Sequence, residues 1–187
     1  MRKNFGAKPW LYPMPVLILG TYNADGTPNA MNAAWGGISE ENEIFICVSD
    51  DHKTTENFLA TGAFTVSVAT AKTVVAADFF GIVSGNDVPD KISRAGWHAE
   101  KSAFVEAPLF AELPLALECE VVSYEKESCR LFGKIINVSA DERVLDAQGR
   151  IDAEKLSPIV YDPVAHVYRT LGTPVARAFS AGKALKS

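Results

Sequence analysis

The chain has 187 residues, 48% of them hydrophobic and 22% charged, with a formal net charge of −5. That length and composition predict one soluble domain over residues 1–187 with a real hydrophobic core. The acidic balance excludes a general nucleic-acid binder, which needs a basic field against backbone phosphates, so any anion site must be local.

Met1-Arg2-Lys3 is followed by Asn4, Phe5, Gly6 and Lys8 rather than by an apolar segment, which argues against a secretory leader. No run approaches the ~18 apolar residues that cross a bilayer, so a cytoplasmic protein without a membrane partner is expected. Val16 to Tyr22 reads as a strand, and Asn23 to Pro28 as a hairpin turn carrying the strong Asp25-Gly26 signal. Asn29 to Trp35 returns as a second strand that ends at Gly36-Gly37. Its small residues Ala30, Ala33 and Ala34, with Asn32 and Trp35, suit a flat ligand read by backbone groups. They suit equally a strand packed tightly on a helix, with Trp35 as a core anchor.

Ile44 to Val48 is a third strand of covered, β-branched character. Asp51-His52-Lys53-Thr54-Thr55 follows, and Glu56 to Ala60 reads as helix with Thr54 capping its first turn. A helix start exposes unpaired N–H groups and the positive end of its dipole. With His52, Lys53 and two threonine hydroxyls beside it, that start is a receptor for phosphate. A solvated surface turn explains the same residues, and short motifs do not separate the two.

Ala63 to Ala69 is a fourth strand, and Val74, Val75, Phe79 and Ile82 recur at helical spacing over about 74–82. Gly85 to Asp90 is loop, and Lys91 to Ala95 one helical turn stopped by Gly96. Trp97-His98 suits a lid or a core edge. Leu115, Leu117, Cys119 and Val121 alternate along a long strand, paired with 131–138 across a turn near 125–128. Asp141 to Lys155 reads as a solvated excursion. Tyr161, Tyr168 and Phe179 are enough to hold the tail on the body, and His166 is an isolated histidine on a loop. Strands with a few short helices and no βαβ repeat predict an antiparallel barrel with helices at its ends.

Cys47, Cys119 and Cys129 lack metal-ligand spacing, and no metal site is expected. Gly81 to Gly85 is no P-loop, and neither a G-x-S-x-G elbow nor an H-E-x-x-H pair is present. With no nucleophile, base or metal site, catalysis has to come from a bound cofactor.

The order Asn29-Ala30-Met31-Asn32-Ala33-Ala34-Trp35, then Lys53-Thr54-Thr55-Glu56-Asn57, resembles the flavin reductase-like proteins that include the flavoredoxins. Gly81-Ile82-Val83-Ser84-Gly85 with Asp90-Lys91 is similar to a further segment of that family. Tyr161, Tyr168 to Gly172 and Phe179 to Lys183 are similar to its closing pattern. The resemblance runs from about residue 13 to 183, and it rests on the order and spacing of these segments. It implies a mainly β, antiparallel, Greek-key-like split barrel that binds FMN without a covalent bond, as a homodimer with sites near the subunit interface. It places Asn32, Ala33, Ala34 and Trp35 against the isoalloxazine and His52, Lys53, Thr54 and Thr55 on the phosphate. Lys91 would reach the flavin or its phosphate, and Tyr161 or Tyr168 would cover the ring. Many family members that use NADH or NADPH carry a histidine in the late hairpin; here Ser128 to Lys134 has none, which favours electron transfer of the flavoredoxin kind. A reductase that exports reduced flavin to a partner monooxygenase uses the same residues, and a non-catalytic binding domain keeps only the barrel.

Overall fold

Alternation of inward and outward side chains organises the molecule. The computed structural model describes residues 1–186. In chain order the elements are β1 (Met14–Pro15), β2 (Leu17–Tyr22), β3 (Pro28–Ala33), β4 (Gly36–Glu40), β5 (Glu43–Cys47), α1 (Lys53–Thr61), β6 (Ala63–Val68) and α2 (Val74–Ile82). They continue with α3 (Lys91–Arg94), β7 (Ala99–Lys101), β8 (Pro108–Phe110), β9 (Leu115–Glu125), β10 (Arg130–Ala140), α4 (Ala153–Leu156), β11 (Ile159–Asp162) and β12 (Val167–Thr170).

Seven strands form one antiparallel sheet in the order β3-β2-β6-β9-β10-β5-β4. Its two edges, β3 and β4, are consecutive in the chain and joined through Ala34-Trp35 alone. So short a link spans roughly 11 Å at full extension, so the sheet must curl until its edges meet. The result is a half-barrel with a seam at residues 34 and 35, where Trp35 O accepts a hydrogen bond of 2.8 Å from Cys47 N. The expected mainly β barrel with short helices is the observed fold.

Along β2 the side chains alternate between two cores. Leu17 and Leu19 join Ala33, Ile46, Phe58, Phe64 and Leu131 inside the curl. Val16 and Ile18 pack outward against Phe80 of α2, Trp97 and Phe110. At Gly133 a β-carbon would stand 2.2 Å from Phe64 Cζ, so the inner core tolerates no side chain there. Gly133→Ala is therefore expected to lower stability by about 1–3 kcal/mol through overpacking, read as a drop in denaturation midpoint. The carboxylate of Glu118 is buried but satisfied, accepting from Ser102 Oγ and, at 2.7 Å, from Asn137 Nδ2.

Several local expectations change. The second strand stops at Ala33, and Gly36-Gly37 opens β4 instead of closing β3. Helix α1 starts at Lys53 with His52 as N-cap, so Thr54 lies inside the first turn and does not cap it. The C-terminal end of α1 follows its composition: Gly62, at φ 72°, donates to Phe58 O. Trp97 is core, while His98 is exposed and paired with Glu112 at 2.8 Å. Residues 141–155 are not wholly solvated, since Val144 packs inward. In the tail, β11 and β12 form a hairpin on β1, but beyond Thr170 the apolar side chains of Val175 and Phe179 are fully exposed. Tyr161 and Tyr168 thus hold the tail; Phe179 does not. Cys119 is buried, which pushes its thiol up to about 12, and it is chemically quiet. Among the described residues no helix is long and apolar enough to cross a membrane, and no three metal-ligating side chains gather.

Candidate functional site

The seam between the sheet edges opens into a chain of adjoining cavities beneath α1, α2 and α3. The first, of about 180 Å³, is lined by Asn32, His52, Lys53, Thr54, Ser84, Gly85 and Lys91, among others. It shares Asn32, Gly81 and Ile82 with a second of about 360 Å³ that adds Ala34, Asp78, Tyr161, His166 and Tyr168. Ala34 in turn borders a third, of about 410 Å³, between Trp35, Phe45 and the N-terminal arm at Lys8 and Trp10.

The first cavity is built for an anion. Helix α1 points its N-terminus there; Thr55 N already donates to His52 O at 2.9 Å, which leaves the N–H groups of Lys53 and Thr54 without a backbone partner among the described residues. Under this turn lies a buried polar network that sets its height. Asn29 Nδ2 donates to Thr54 Oγ1 at 2.9 Å and to Thr21 Oγ1 at 3.2 Å. Asn57 Nδ2 donates to Thr21 Oγ1 at 3.1 Å and to Asn23 Oδ1 at 2.8 Å. The Thr54 hydroxyl accepts from Asn29, so its own proton stays available to a ligand. Gly85 presses on the same turn: a β-carbon there would lie 2.5 Å from Asn29 Oδ1 and 3.2 Å from Lys53 Cβ. Only glycine lets loop 83–90 approach this closely.

Lys91 supplies the decisive charge. It is 2% exposed, lines the cavity from the first residue of α3, and makes no ion pair among the described residues. Burial alone pulls its ammonium down from the ordinary lysine range to about 8. A nearly buried, unpaired ammonium facing a helix N-terminus lacks only an anion to complete it. Lys53 is less committed, pairing with Glu56 at 2.8 Å one turn along its own helix.

The second cavity is lined by flat and small groups. The Asn32 amide is fixed by donating to Ala77 O at 2.8 Å. Tyr168 Oη donates to Asp78 Oδ1 at 2.7 Å, and burial with this bond pushes its phenol up to about 12. Tyr161 lies beside it, its ring tilted 53° with centroids 6.0 Å apart. An anion-receiving end that opens into a flat, aromatic-walled space matches a phosphorylated planar ligand.

Of the residues singled out in the sequence, Asn32, His52, Lys53, Thr54 and Lys91 meet around the first cavity, and Ala34, Tyr161 and Tyr168 join at the second. Ala33 turns into the inner core. Thr55 is buried and spends its hydroxyl on Ser49 O at 2.7 Å, away from the cavity. Trp35 is 56% exposed and faces the third cavity. The sequence reading missed Asn29, Asp78, Ser84, Gly85 and His166 as site residues. Ser84 and Gly85 lie in the glycine-containing segment that carried part of the resemblance, so a signal existed; for Asp78 there was none. A larger groove, about 560 Å³ between Phe79, Arg94 and Trp97, follows a different face of α2 and holds no buried unpaired charge.

Comparison with known proteins bears on the family and the fold. Residues 10–166 match the model of the flavin reductase like domain. The flavoredoxin of Desulfovibrio vulgaris (Miyazaki F) is similar at 34% identity and a TM-score of 0.93, over 97% of this chain and 100% of that one. A flavoredoxin from Methanosarcina acetivorans is similar at 27% identity and a TM-score of 0.88, over 99% of each chain. Nitrilotriacetate monooxygenase component B from Bacillus cereus shares the fold, at 21% identity and a TM-score of 0.76 over 89% of each chain. No curated protein sequence matches.

Proposed function

We propose, because the chain belongs to the flavin reductase-like domain family, that it is an FMN-binding oxidoreductase of the flavoredoxin type. The observation that carries this reading is Lys91, a nearly buried ammonium without a partner among the described residues, in a cavity that continues into a flat aromatic one. The residues fit FMN. Lys91, Lys53, His52, Thr54 and the first turn of α1 would hold its phosphate, and Asn32, Ala34 and Tyr161 would border its ring. Bound FMN supplies hydride or one-electron chemistry that no side chain here can perform. The chain contributes orientation, exclusion of water and electrostatics, with the cationic end anchoring one side of the ligand. Burial of Lys91 favours a retained group over one exchanged at each turnover. The late hairpin offers no histidine for a nicotinamide, so a protein electron donor fits better than NADH or NADPH.

The absorption spectrum of the purified protein tests this directly. Flavin bands, or saturable uptake of added FMN with a rise in denaturation temperature, are expected. Colourless protein that FMN neither binds nor stabilises overturns the reading.

The functional unit is a homodimer in this reading. Leu11 and Tyr12 on the N-terminal arm, Trp35 and Ile38 at the seam, and Val175 and Phe179 on the tail are exposed apolar side chains that a second copy would cover. Light scattering should give twice the chain mass, and a chain ending at Thr170 should shift toward monomer. A monomeric full-length protein would remove the dimer from the proposal.

A further inference from the structure

His166, isolated in the sequence, lies in the flat cavity. Its Nδ1 is 2.7 Å from Tyr161 Oη, and both side chains line the space that Asn32 and Ala34 border. His166 closes the turn at 163–166 with φ 54°, in the left-handed region. That turn is held by Asp162. Its carbonyl accepts from His166 N at 2.9 Å, and its carboxylate accepts from Val164 N and Ala165 N, both at 3.0 Å. The same carboxylate takes the Tyr12 hydroxyl and, at 2.9 Å, Arg169 Nε. The hairpin tip is thus pinned in a shape that presents an imidazole to Tyr161.

The two tyrosines that face each other across β11 and β12 differ in their partners. Tyr168 donates to the carboxylate of Asp78, an arrangement with a single direction. Tyr161 is bonded to an imidazole nitrogen, which accepts when it carries no proton and donates when it does, so its bond has two directions. Neutral imidazole accepts the Tyr161 proton at Nδ1. Imidazolium donates from Nδ1, which frees the Tyr161 O–H to point into the cavity. The charged and titratable groups around His166 are Tyr161 and Asp162 on β11, Tyr168 and Arg169 on β12, Asp78 on α2 and Tyr12 on the arm. Arg169 and Tyr12 are already engaged by Asp162, and Asp78 by Tyr168.

We propose that His166 and Tyr161 form a proton relay that supplies the flat cavity when a one-electron protein carrier delivers electrons without protons. This deepens the FMN reading and rests on it. The Tyr161 O–H bond breaks as its proton passes to the ligand that has taken up the electrons. The Nδ1–H bond of the His166 imidazolium breaks as that proton restores the Tyr161 hydroxyl. His166, exposed at the hairpin tip, regains its proton from water. The electrons come from the carrier and the net proton from solvent, so charge and atoms balance. A hydride donor, which carries its own hydrogen, does not need the relay.

The test uses FMN-loaded protein and reduced methyl viologen as the one-electron donor, with flavin bleaching followed by stopped flow on the bound fraction. His166→Asn keeps a residue that accepts the left-handed backbone but does not titrate. Wild-type reduction should slow as pH rises, because the relay starts from the protonated imidazole. His166→Asn should slow it on the order of 10-fold or more at the acid end and flatten the profile. Tyr161→Phe should do the same, and the double variant should be no slower than the slower single, as for two members of one path. In ligand-free protein, the His166 ring resonance, identified by its loss in His166→Asn, should change its titration midpoint in Tyr161→Phe. Loaded variants that keep the wild-type rate and pH profile overturn the relay and leave the FMN reading standing. Wild-type protein that takes up no FMN overturns that reading, and the relay with it.

Discussion

Lys91→Met is expected to weaken FMN binding by about 1.5–3 kcal/mol, roughly 10- to 150-fold, while raising the stability of the ligand-free protein. The two effects have one cause. In the free protein the Lys91 side chain is buried without a counter-charge among the described residues, and burial lowers its ammonium to about 8 because the folded state disfavours the charge. A phosphate dianion reverses that, supplying the missing partner. Methionine keeps the length and apolar contacts of the side chain but carries no charge, so it relieves the folded protein and deprives the ligand.

The pH dependence follows with a definite sign. In the unfolded chain lysine holds its proton to about 10.4, whereas folded Lys91 releases it near 8. Between those values the unfolded state binds more protons, so this group makes ligand-free stability rise with pH through that window. Below it the cost of the buried charge is fully present; above it the cost is gone. Binding of FMN runs the opposite way: the anion needs the proton on Lys91, so affinity should hold between about 6, where the phosphate loses its second proton, and about 8, and fall above it. Chemical denaturation of the ligand-free protein across this range checks the first statement and isothermal titration with FMN the second, and Lys91→Met should abolish the slope in each. A variant that binds FMN as tightly as wild type with unchanged slope would place the phosphate elsewhere.

Phe58→Ala should cost about 3–5 kcal/mol of stability, the range for removing a fully buried phenyl ring. Phe58 anchors the inner face of α1. Its ring meets Tyr124 edge-on at 5.5 Å and Phe64 at 6.3 Å, so the cavity left by alanine has rigid aromatic walls and little means to collapse. Because α1 presents its N-terminus to the anion cavity, the damage should reach the site, and FMN should raise the denaturation temperature of the variant less than that of wild type. Chemical denaturation of the ligand-free forms separates the two effects. A loss below about 1 kcal/mol would mean that the curl repacks around the gap.

Much of this was legible without coordinates because the signals are short-range. The Asp25-Gly26 hairpin, the helix at Val74–Ile82 and the long pair β9–β10 follow from turn chemistry and from periods of 2 and 3.6 residues. The cationic cluster at 52–54 was visible for the same reason, as neighbours in sequence that share one helix start. Errors arose where a choice depended on distant residues. Thr54 has the chemistry of a cap, yet Asn29 from β3 engages its hydroxyl inside the first turn. Thr55 has the same chemistry and turns to Ser49 instead. Phe179 has the apolarity of an anchor, and nothing among the described residues covers it.

The sequence by itself determined the longer strands β2, β3, β5, β6, β9 and β10, the helices α1 to α3, the local charge at the start of α1 and the family to which their order belongs. Only the tertiary structure decided which of these residues form a site. A link as short as Ala34-Trp35 between opposite sheet edges forces the curl, and the curl brings β3, α1, α2 and α3 to one seam. There Lys91, distant in sequence from Lys53, loses its water and becomes the charge that asks for an anion, while Lys53 stays paired on its own helix. His166 and Tyr161 meet only because Asp162 closes the hairpin tip around them. Periodicity reports which face a residue occupies; which ionisable groups are stripped of solvent, and what they then face, is set by contacts between segments that no local pattern encodes.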